Sequence, residues 1–599
     1  MEISNVAVAK ILKNVAAAYT IKGIGNIFQV RAYENAADSI EHSTSEIHDL
    51  WREGKLDSVP ALGEKIRGHL DELFKKGFVE HFKIVEKGIP KVVFELLEVP
   101  GIGPKTAQEI AKLGIKDINE LKKQIKSGEL VKKGFSGKIA QKIMNGITQL
   151  NSREGRMLLP YAVAQAQKIV DYMKKNQAVG EINPLGSLRR AVATVGDLDF
   201  AVASKQPKEV VEFFCRMPFK ARVVNQGENQ ATVVLKSGIQ ADLLVGDPNS
   251  YGALLQHFTG SKSHNIHLRT LAEDNGLSLS EYGVKNTKTG QLIPTKTEEE
   301  FYALLKMDIP APEIREDTGE IEAALRHDLP KLVELQDIRG DLHLHSNFAL
   351  EPSHGPGVSS IEEIVKKAHL LGYEYVGISD HSPAFTTHSE KEIINLIEKR
   401  TNYIQNLKKR ISKLYPSGIK SIRVQHTELN TFSVRILNGL EIDILPDGSL
   451  SVPDEALKTL DYCIAGIHSS HRGSKEEITK RLLLTLENPN VDIISHPTNR
   501  LLSERDSSEA DWETVFKAAA KGKKILEINA FPNRLDLRDD LVREAKKYGV
   551  KFIIDTDAHE ISQMNTMSFG VSVARRGWAT EEDIVNTWDW KKFADWFKI

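Results

Sequence analysis

From residue 338 to the C-terminus, short apolar segments alternate with longer segments of helical periodicity, and this alternation constrains the fold more than any other feature of the sequence. Consecutive parallel strands need long crossover connections, which are usually helices. Regular β/α alternation over this length therefore predicts a parallel α/β barrel. The apolar segments that we interpret as its strands are 340–345, 375–379, 462–467, 491–495, 525–528 and 552–555.

The sequence before residue 338 shows two other patterns of predicted secondary structure. In the first 150 residues, apolar residues recur at a spacing of three to four, which predicts helices. Glycine turns separate these helices, so a unit of short helix, turn and short helix is repeated. From about residue 155, short β-rich segments lie between helical ones and predict an α+β region. The predicted helices include 6–18, 66–74 and 139–147, the glycine turns are 61–63, 101–103 and 134–137, and the β-rich segments are 198–203, 232–235 and 241–245.

Length and composition describe a globular chain of several domains. The 599 residues exceed the roughly 250–300 residues that one hydrophobic core supports. The apolar fraction of 41% and the charged fraction of 27% argue against a disordered chain. No apolar run approaches the ~18 residues of a membrane span, and the N-terminus does not resemble a signal peptide. Two cysteines, Cys215 and Cys463, cannot form a disulfide framework. We expect a cytoplasmic protein without a membrane partner.

The glycine turns are candidate contacts to a phosphate backbone. In the clearest copy, Gly101 and Gly103 come just before Lys105, and a second copy has Gly63 before Lys65. The free N–H groups at the start of the following helix suit a phosphate. Residues 101–150 hold ten lysines against four carboxylates, a local balance of +6. An ordinary helix corner and a solvated lysine-rich surface remain the alternatives.

A first group of carboxylates surrounds the strand predicted at 198–203. Asp197 and Asp199 are two residues apart, so both side chains leave the same face of the strand, and Asp242 lies in a second predicted strand. Adjacent carboxylates repel unless a cation lies between them, and Mg²⁺ prefers such oxygen ligands together with substrate phosphates. Upstream, Ser187 and Arg190 follow a glycine and can hold a triphosphate. The set predicts two-metal nucleotidyl transfer.

A second group consists of histidines and acids at the ends of the predicted barrel strands. The carboxyl ends of parallel barrel strands share one mouth, so side chains there converge. Mixed imidazole and carboxylate ligands suit Zn²⁺ or Mn²⁺ and a metal-activated water. The candidate ligands are His343, His345, His381, Glu441, His468, His496, Asp557 and His559.

Residues 1–315 resemble the family X DNA polymerases, of the DNA polymerase beta type, because the motifs occur in that family's order. After the glycine turns and the three aspartates come Phe258-Thr259-Gly260-Ser261, Asn265, Arg269 and Glu281-Tyr282-Gly283. The resemblance implies that Asp197 and Asp199 hold two Mg²⁺ or Mn²⁺ ions, and that Asp242 binds the catalytic ion and draws the proton from the primer 3′-hydroxyl. It implies nucleotide binding by Gly186, Ser187, Arg190, Gly196, His257, Phe258, Gly260 and Asn265, and DNA binding by Gly63, Lys65, Gly101, Gly103, Lys105 and Arg269.

Three positions depart from this family. His257 replaces a tyrosine, so the rejection of ribonucleotides is expected to be weaker. Leu244 replaces an arginine that takes part in closing. His69 stands where DNA polymerase beta has its Schiff-base lysine, so we do not expect 5′-deoxyribose-phosphate lyase activity.

Residues 338–599 resemble the polymerase and histidinol phosphatase (PHP) domain. The resemblance implies a distorted seven-stranded barrel, two or three Mn²⁺ or Zn²⁺ ions and phosphoester hydrolysis, which beside a family X polymerase means a 3′–5′ exonuclease. An aspartate that the family usually has five residues after His345 is Leu350 here, and the adjacent Glu351 has the wrong phase. We interpret Asp380 as orienting an imidazole.

Together these observations predict a multidomain protein. The expected order is an all-α helix-hairpin-helix domain at 1–92, a second at 93–154, an α+β nucleotidyltransferase palm at 155–250, a nucleotide-binding and minor-groove subdomain (thumb) at 251–315, a linker at 316–337 and the PHP barrel at 338–599. The linker lies in a proline-containing, charged segment, so we expect the two halves to fold separately and to move relative to each other.

The predicted function is gap-filling, template-directed DNA synthesis in repair, combined with 3′–5′ exonuclease activity, by a monomer acting on gapped or primer-template DNA and dNTPs. Two alternatives remain open. The chain could be chiefly a nuclease or 3′-end phosphatase whose polymerase half only binds DNA, or it could be a non-catalytic DNA-binding scaffold. The three aspartates argue against the scaffold, which has no physical need for them.

Overall fold

The protein is described from a computed structural model. The structure describes the chain except for residues 1–2, 4, 25, 42–46, 53, 60, 100–101, 138, 141–142, 145–146, 148–155, 353 and 415–433. Gly101 and parts of the segments 139–147 and 101–103 therefore lie outside the described residues. Among the described residues no helix is both long and apolar enough to cross a membrane.

In the described part of the first 150 residues, the regular elements are helices, as predicted. Their apolar side chains form two separate buried clusters, one from Val8 to Val85 and one from Val93 to Ile147. The predicted segments 6–18 and 66–74 lie within α1 and α4. The helices are α1 (Asn5–Lys22), α2 (Ile27–Glu41), α3 (Ile47–Arg52), α4 (Glu64–Lys76), α5 (Glu80–Glu86), α6 (Lys91–Leu96), α7 (Pro104–Lys112), α8 (Ile118–Lys126) and α9 (Glu129–Lys132).

The palm is a mixed five-stranded sheet in the order β2-β4-β7-β6-β5. Strands β4 and β7 are parallel, and the other neighbours in this sheet are antiparallel. A two-stranded pair, β1 and β3, lies at its start. The elements are β1 (Met157–Leu158), α10 (Leu159–Met173), β2 (Glu181–Pro184), α11 (Gly186–Arg189), β3 (Thr194–Val195), β4 (Leu198–Ala203), α12 (Pro207–Cys215), β5 (Lys220–Gln226), β6 (Gln230–Leu235) and β7 (Gln240–Gly246).

The thumb follows, with its own buried cluster between Ala253 and Ala324. Three antiparallel strands in the order β10-β9-β8 pack with its helices. The elements are α13 (Tyr251–Thr259), α14 (Lys262–Asp274), β8 (Leu277–Ser280), β9 (Gly283–Asn286), β10 (Leu292–Ile293) and α15 (Glu298–Leu304).

The C-terminal part is a parallel barrel built from two sheets, β11-β12-β13 and β14-β15-β16-β17-β18. Strands β13 and β14 are two halves of one strand, broken at Gly439 and Leu440, and the bridge between Leu344 and Ala558 closes the ring. Seven strands result, as the resemblance implied. They are β11 (Gly340–Asp341), β12 (Tyr375–Ile378), β13 (Arg435–Asn438), β14 (Glu441–Asp443), β15 (Ile464–Gly466), β16 (Ile493–Ile494), β17 (Ile525–Asn529) and β18 (Lys551–Asp555).

Helices connect the barrel strands, and their apolar faces pack onto the sheet. Ser360 and Ser474 each form a capping box at the first residues of such a helix. The helices are α17 (Ile361–Leu370), α18 (Glu390–Leu414), α19 (Asp454–Leu457), α20 (Lys475–Glu487), α21 (Trp512–Gly522), α22 (Asp539–Lys546), α23 (Met567–Arg576) and α24 (Trp590–Phe597).

The segment 308–337 is packed into the protein, which differs from the open linker that we predicted. It contains the helix α16 (Glu320–Leu325), and Arg315 in it is fully buried against Glu298. Arg576 at the end of α23 contacts Glu316 and donates a hydrogen bond to the carbonyl oxygen of Arg190. Apolar side chains of the palm and the barrel also form one continuous buried cluster. Part of the charge in the segment, at Glu313, Arg315 and Glu316, therefore forms ion pairs with other parts of the protein.

Two candidate metal centres

The first centre is the group of three aspartates on the palm sheet. Asp199 and Asp242 are register partners on β4 and β7, and Asp197 lies just before β4. One ligand oxygen from each lies within 4.8 Å of the others. Thr232 and Gln240 donate hydrogen bonds to the two oxygens of Asp242 and fix its carboxylate. The structure therefore brings together the three residues that the sequence predicted.

The electrostatics of this centre favour a bound cation. Burial, together with the neighbouring charges of Asp197 and Asp242, raises the pKa of Asp199 to about 7. A divalent cation between the carboxylates removes this repulsion. An all-oxygen donor set on a half-exposed edge fits Mg²⁺ or Mn²⁺, which keep coordination positions for substrate oxygens.

Gly186 lies against this centre and could not carry a side chain. Its backbone has φ of +56°, and a Cβ atom there would lie 2.7 Å from Oδ2 of Asp199. The glycine before Ser187 therefore lets the chain pass next to a metal-ligating carboxylate. Ser187 is half-buried in the short helix α11, and Gly196 directly precedes Asp197.

Arg190 is near the nucleotide site but is engaged by protein groups. Its Nε atom lies 3.0 Å from Oε1 of Glu316, and its Nη1 atom, 3.0 Å from a Cβ built on Gly260, donates to the carbonyl oxygen of Thr259. Gly260 has φ of +69°. In this structure Arg190 thus holds the turn after α13, a contact that the sequence did not predict.

The other predicted nucleotide residues lie on α13 and α14. The ring of His257 lies edge-on to that of Phe258, with centroids 4.7 Å apart, and burial lowers the pKa of His257. Asn265 donates to the carbonyl oxygen of His257 and accepts from Gln256. Arg269 is exposed on the same helix. The contact from Asn265 fixes the backbone that carries the predicted sugar-contacting residues.

The glycine turns have the geometry expected of helix-hairpin-helix motifs. Gly63 and Gly103 are the N-cap residues of α4 and α7, with Lys65 and Lys105 exposed in the first turns. His69 lies inside the first domain, with its ring stacked on that of His81. Burial, the charge of His81 and the charge of Lys65 lower the pKa of His69.

The second centre lies at the mouth of the barrel, around Glu441. Oε2 of Glu441 lies 2.9 Å from His381 and 3.2 Å from His343, and Oε1 lies 3.2 Å from Nε2 of His468. Oε1 also lies 3.0 Å from Nε2 of His496. His343, His381, Glu441 and His496 are buried, and the side chain of His468 is 9% exposed.

Asp557 and the remaining histidines complete this mouth. Oδ1 of Asp557 lies 3.1 Å from Nε2 of His345 and 3.5 Å from Nε2 of His343. His559 stacks on His345 with ring centroids 4.1 Å apart. Seven of the eight predicted ligands fall into overlapping groups whose ligand atoms lie within 4.8 Å of one another: His343, His345, Glu441 and Asp557; His345, His381 and His559; and His381, Glu441 and His468. His496 is in none of these groups, although its Nε2 atom contacts Glu441.

The pKa values of the barrel residues separate into two sets. Burial opposes the charge of Glu441, but His343, His468 and His381 outweigh it and hold the pKa of Glu441 well below its usual range. The pKa of His468 rises to about 9 because Glu441 and Asp443 outweigh its burial. Burial lowers the pKa of His496 to about 3. Charged carboxylates thus lie beside both a protonated imidazole, His468, and a neutral one, His496.

Buried polar atoms without a hydrogen-bond partner are concentrated in this mouth, and they fit a metal cluster. Buried polar groups are normally satisfied, so a set of unsatisfied donor atoms facing one another is what a bound cation explains. Among the described residues, the barrel atoms of this kind include His343 Nε2, His345 Nδ1, His381 Nδ1, Glu441 Oε2, His468 Nε2 and His496 Nδ1.

Neither Leu350, which stands where the family usually has an aspartate, nor the adjacent Glu351 reaches the cluster. Leu350 is fully buried in the apolar core, and Glu351 is turned outwards to His388, with an Nε2 to Oε2 distance of 3.0 Å. His354, which was not predicted from the sequence, lies next to the cluster instead. Its Nε2 atom lies 3.3 Å from Oδ1 of Asp443, and its ring centroid lies 4.6 Å from that of His468.

Two carboxylates orient the ligand imidazoles, and sequence reasoning missed both. Asp443 lies 2.7 Å from Nδ1 of His468, and Glu527 lies 2.6 Å from Nδ1 of His343. Such outer carboxylates fix the ring orientation of metal-bound histidines. The position of Asp443, two residues after Glu441 on the same strand face, was the available signal. Asp380 does not orient an imidazole as predicted, because it accepts from Arg400 and Ser346.

Comparison with protein families matches four regions of the chain. A helix-hairpin-helix domain matches residues 3–78, and a SAM-like helix-hairpin-helix tandem matches residues 93–148. The DNA polymerase beta thumb matches residues 254–316, and the PHP domain matches residues 341–531. These regions correspond to the helical domains, the thumb and most of the barrel.

Comparison with characterised proteins gives relatives of two kinds. DNA polymerase/3′-5′ exonuclease PolX of Bacillus subtilis is 33% identical over 97% of this chain and 96% of its own length. A probable phosphatase of Acetivibrio thermocellus is 31% identical over 37% of this chain and 78% of its own length. A probable phosphatase of Clostridium acetobutylicum is 28% identical over the same shares.

Proposed function

This chain belongs to the family of the DNA polymerase/3′-5′ exonuclease PolX, and we propose that its two metal centres divide those two reactions between them. The chain is a DNA-directed DNA polymerase and a 3′–5′ exonuclease. It depends on divalent metal ions and uses DNA and dNTPs as substrates. We assign polymerisation to the aspartates of the palm and hydrolysis to the barrel mouth.

The observation that carries this assignment is the difference between the two donor sets. The palm centre offers three carboxylates and no imidazole, whereas the barrel centre mixes imidazoles with carboxylates. Oxygen-only sites suit Mg²⁺ or Mn²⁺ bound together with substrate phosphates. Imidazole-rich sites suit Zn²⁺ or Mn²⁺ with an activated water. The first chemistry fits nucleotidyl transfer, and the second fits phosphoester hydrolysis.

In the palm, Asp197 and Asp199 would hold two ions, and Asp242 would contribute a ligand to the catalytic one. Bound ions supply charge neutralisation for the triphosphate and lower the pKa of the 3′-hydroxyl. Asp242, held by Thr232 and Gln240, accepts the proton from that hydroxyl. Gly186, Ser187, Gly196 and Arg190 line the triphosphate.

The thumb orients the incoming nucleotide. Phe258 and Gly260 line its sugar, with His257 beside them, while Asn265 and Arg269 follow the minor groove of the new pair. Release of Arg190 from Glu316 and from the carbonyl oxygen of Thr259 frees it for phosphate.

DNA is held at a distance from the reacting atoms by the helix-hairpin-helix turns. Backbone N–H groups after Gly63, Gly101 and Gly103 contact phosphates together with Lys65 and Lys105. Such contacts carry no sequence information, so binding is salt-sensitive and largely sequence-neutral.

In the barrel, eight predicted ligands and His354 hold two or three Mn²⁺ or Zn²⁺ ions. Bound ions would lower the pKa of a water molecule, so that it could attack the phosphoester at neutral pH. Asp443 and Glu527 keep the rings of His468 and His343 in the ligating orientation. The relatives named as probable phosphatases favour a second candidate reaction here, removal of a 3′-phosphate.

We propose that the protein works as a monomer at short gaps during DNA repair. The test uses a gapped primer-template with Mg²⁺ or Mn²⁺, with and without dNTPs. Extension with dNTPs and primer shortening without them support the proposal. Loss of a single phosphate from a 3′-phosphorylated primer, without shortening, supports the phosphatase candidate instead. Extension of an open primer-template, without a downstream strand, as fast as of gapped DNA contradicts the gap-filling role.

A further inference from the structure

A basic cavity lies between the palm and the barrel, outside both metal centres. Its volume is about 810 Å³, which is within the range of pockets that enclose small ligands. Serine hydroxyls and two acids, Asp506 and Glu509, also line it. Its cationic lining residues are Arg156, Lys475, Arg500, Arg505 and Arg538.

Three of these arginines are held by neutral acceptors. Arg156 donates to the hydroxyl and the carbonyl oxygen of Thr194. Arg500 donates to the carbonyl oxygens of Arg534 and Leu535. In the described part of the chain, none of Arg156, Arg500 and Arg505 has a carboxylate within 4.0 Å. Their positions are therefore fixed by neutral acceptors, while the carboxylates that act on Arg500 and Arg505, among them Asp536 and Glu504, form no direct ion pair with them. Fixed cations of this kind are expected of an anion-binding surface.

Arg505 shows the same pattern most clearly. It donates to the backbone and side-chain oxygens of Asn499 at 2.9 and 2.7 Å, and its Nη1 atom lies 3.0 Å from Nε2 of His471. Burial and the neighbouring charge of Arg534 lower the pKa of Arg505 to about 10. Cations that crowd one another in this way gain from a bound anion.

Each wall of the cavity is connected to one metal centre. On the palm side, the Nη1 atom of Arg156 lies 3.3 Å from a Cβ built on Gly196, the residue before Asp197. On the barrel side, Arg500 follows His496 by four residues in the same loop. The lining of the cavity therefore includes a residue next to the palm centre and a residue of the loop that carries His496.

We propose that this cavity binds the phosphodiester backbone of a single DNA strand, the primer end on its way between the two centres. The inference rests on the proposed function, because it takes DNA as the substrate of both centres. We identify the ligand by charge complementarity. The cavity presents several fixed cations and hydroxyl donors but few acids, and such a lining suits a row of phosphates better than a neutral ligand.

The test substitutes one exposed cation on each wall, in the variant Arg156→Gln/Lys475→Gln. The probe is a fluorescent 20-nucleotide oligo(dT), with Kd measured at several salt concentrations. The matched control is Lys458→Gln/Lys521→Gln, two exposed lysines of the barrel outside the cavity. Because each phosphate contact on single-stranded DNA contributes about 0.7 to the slope of log K against log salt, the cavity variant should lose about 1.4 from that slope. Its Kd should rise about tenfold at low salt.

Equal slopes and affinities for the cavity variant, the control and the wild type would overturn the cavity proposal. The thermal unfolding midpoints of the variants, measured alongside, exclude unfolding as the cause of a loss. The single variant Lys475→Gln, exposed at the first turn of α20, should lose about half of the slope change. Failure of the proposed function has a different signature: wild-type protein that neither extends nor shortens a primer.

Discussion

Asp199 on β4 and Asp242 on β7 face each other as register partners of two parallel strands, with Asp197 completing a group of carboxylate oxygens within 4.8 Å. The pairing places two acids side by side on the half-buried edge of the palm sheet. Burial and the neighbouring acids raise the pKa of Asp199 to about 7, so the group is unfavourable until a cation binds. The register of β4 and β7 therefore brings the carboxylates so close that a bound cation is needed to offset their repulsion.

The close approach of Gly186 to Asp199 gives a prediction with a matched control. Gly186→Ala places a Cβ 2.7 Å from Oδ2 of Asp199 at a φ of +56°, so it both strains the backbone and displaces a metal ligand. We expect primer extension to fall at least about a hundredfold. Gly238→Ala has a φ of +87° with no atom within 4 Å of the Cβ, so it carries strain alone. The measurement is the rate of primer extension at saturating dNTP for both variants. An equal loss of rate in both would show that the contact between residue 186 and Asp199 does not matter.

His257 is expected to weaken the rejection of ribonucleotides. Its ring packs edge-on to Phe258, and its carbonyl oxygen is fixed by Asn265. Because histidine is shorter than tyrosine, the backbone beside the sugar crowds a 2′-hydroxyl less. His257→Tyr should raise the ratio of dNTP to rNTP incorporation severalfold, and kcat/KM for both substrates measures it. An unchanged ratio would remove His257 from the sugar contacts.

Arg576 connects the two halves, so its loss should destabilise the whole chain. Its side chain is 11% exposed and contacts Glu316 and Asp539 as well as the carbonyl oxygen of Arg190. Arg576→Ala removes the arginine that pairs with Asp539 and one of the two arginines that pair with Glu316, and it should cost about 3 kcal/mol. Arg410→Ala breaks an exposed pair with Glu362 and should cost under about 1 kcal/mol. Unfolding monitored by circular dichroism compares them. Equal stability of the two variants would favour separate halves.

His354 is expected to change the number of metal ions bound by the barrel. It is next to His468 and Asp443, while Leu350 is buried in the core. His354→Ala should bind fewer Mn²⁺ ions, or bind one of them roughly 10–100-fold more weakly, in equilibrium dialysis followed by metal analysis. His388→Ala is the control, because His388 contacts Glu351 away from the cluster. If both variants bind the same number of Mn²⁺ ions with the same affinity, His354 is not a metal ligand.

The sequence predicted the features that depend on local pattern. Strands such as β4 and β18 were predicted from apolar runs, and Asp199, His343 and Glu441 from their positions at strand ends. Features that depend on distant parts of the chain were missed. His354 lies in a loop whose path is set by the barrel, and Glu527 looked like part of an apolar strand. Segment 308–337 looked like a linker because the partners of Arg315 and Glu316 are far away in sequence or on another domain.

The central claim is that the palm centre polymerises and the barrel centre hydrolyses. It is tested most directly by measuring extension and 3′ shortening in parallel on one gapped substrate. The proteins are the wild type, Asp242→Asn and His343→Ala/His345→Ala, with Glu209→Gln as an exposed carboxylate control. Asp242→Asn should lose roughly 10³-fold or more in extension while it still shortens the primer with Mn²⁺. The histidine variant should still extend, with greater net elongation, and should no longer shorten. Normal extension by Asp242→Asn, or wild-type shortening by the histidine variant, would contradict the account.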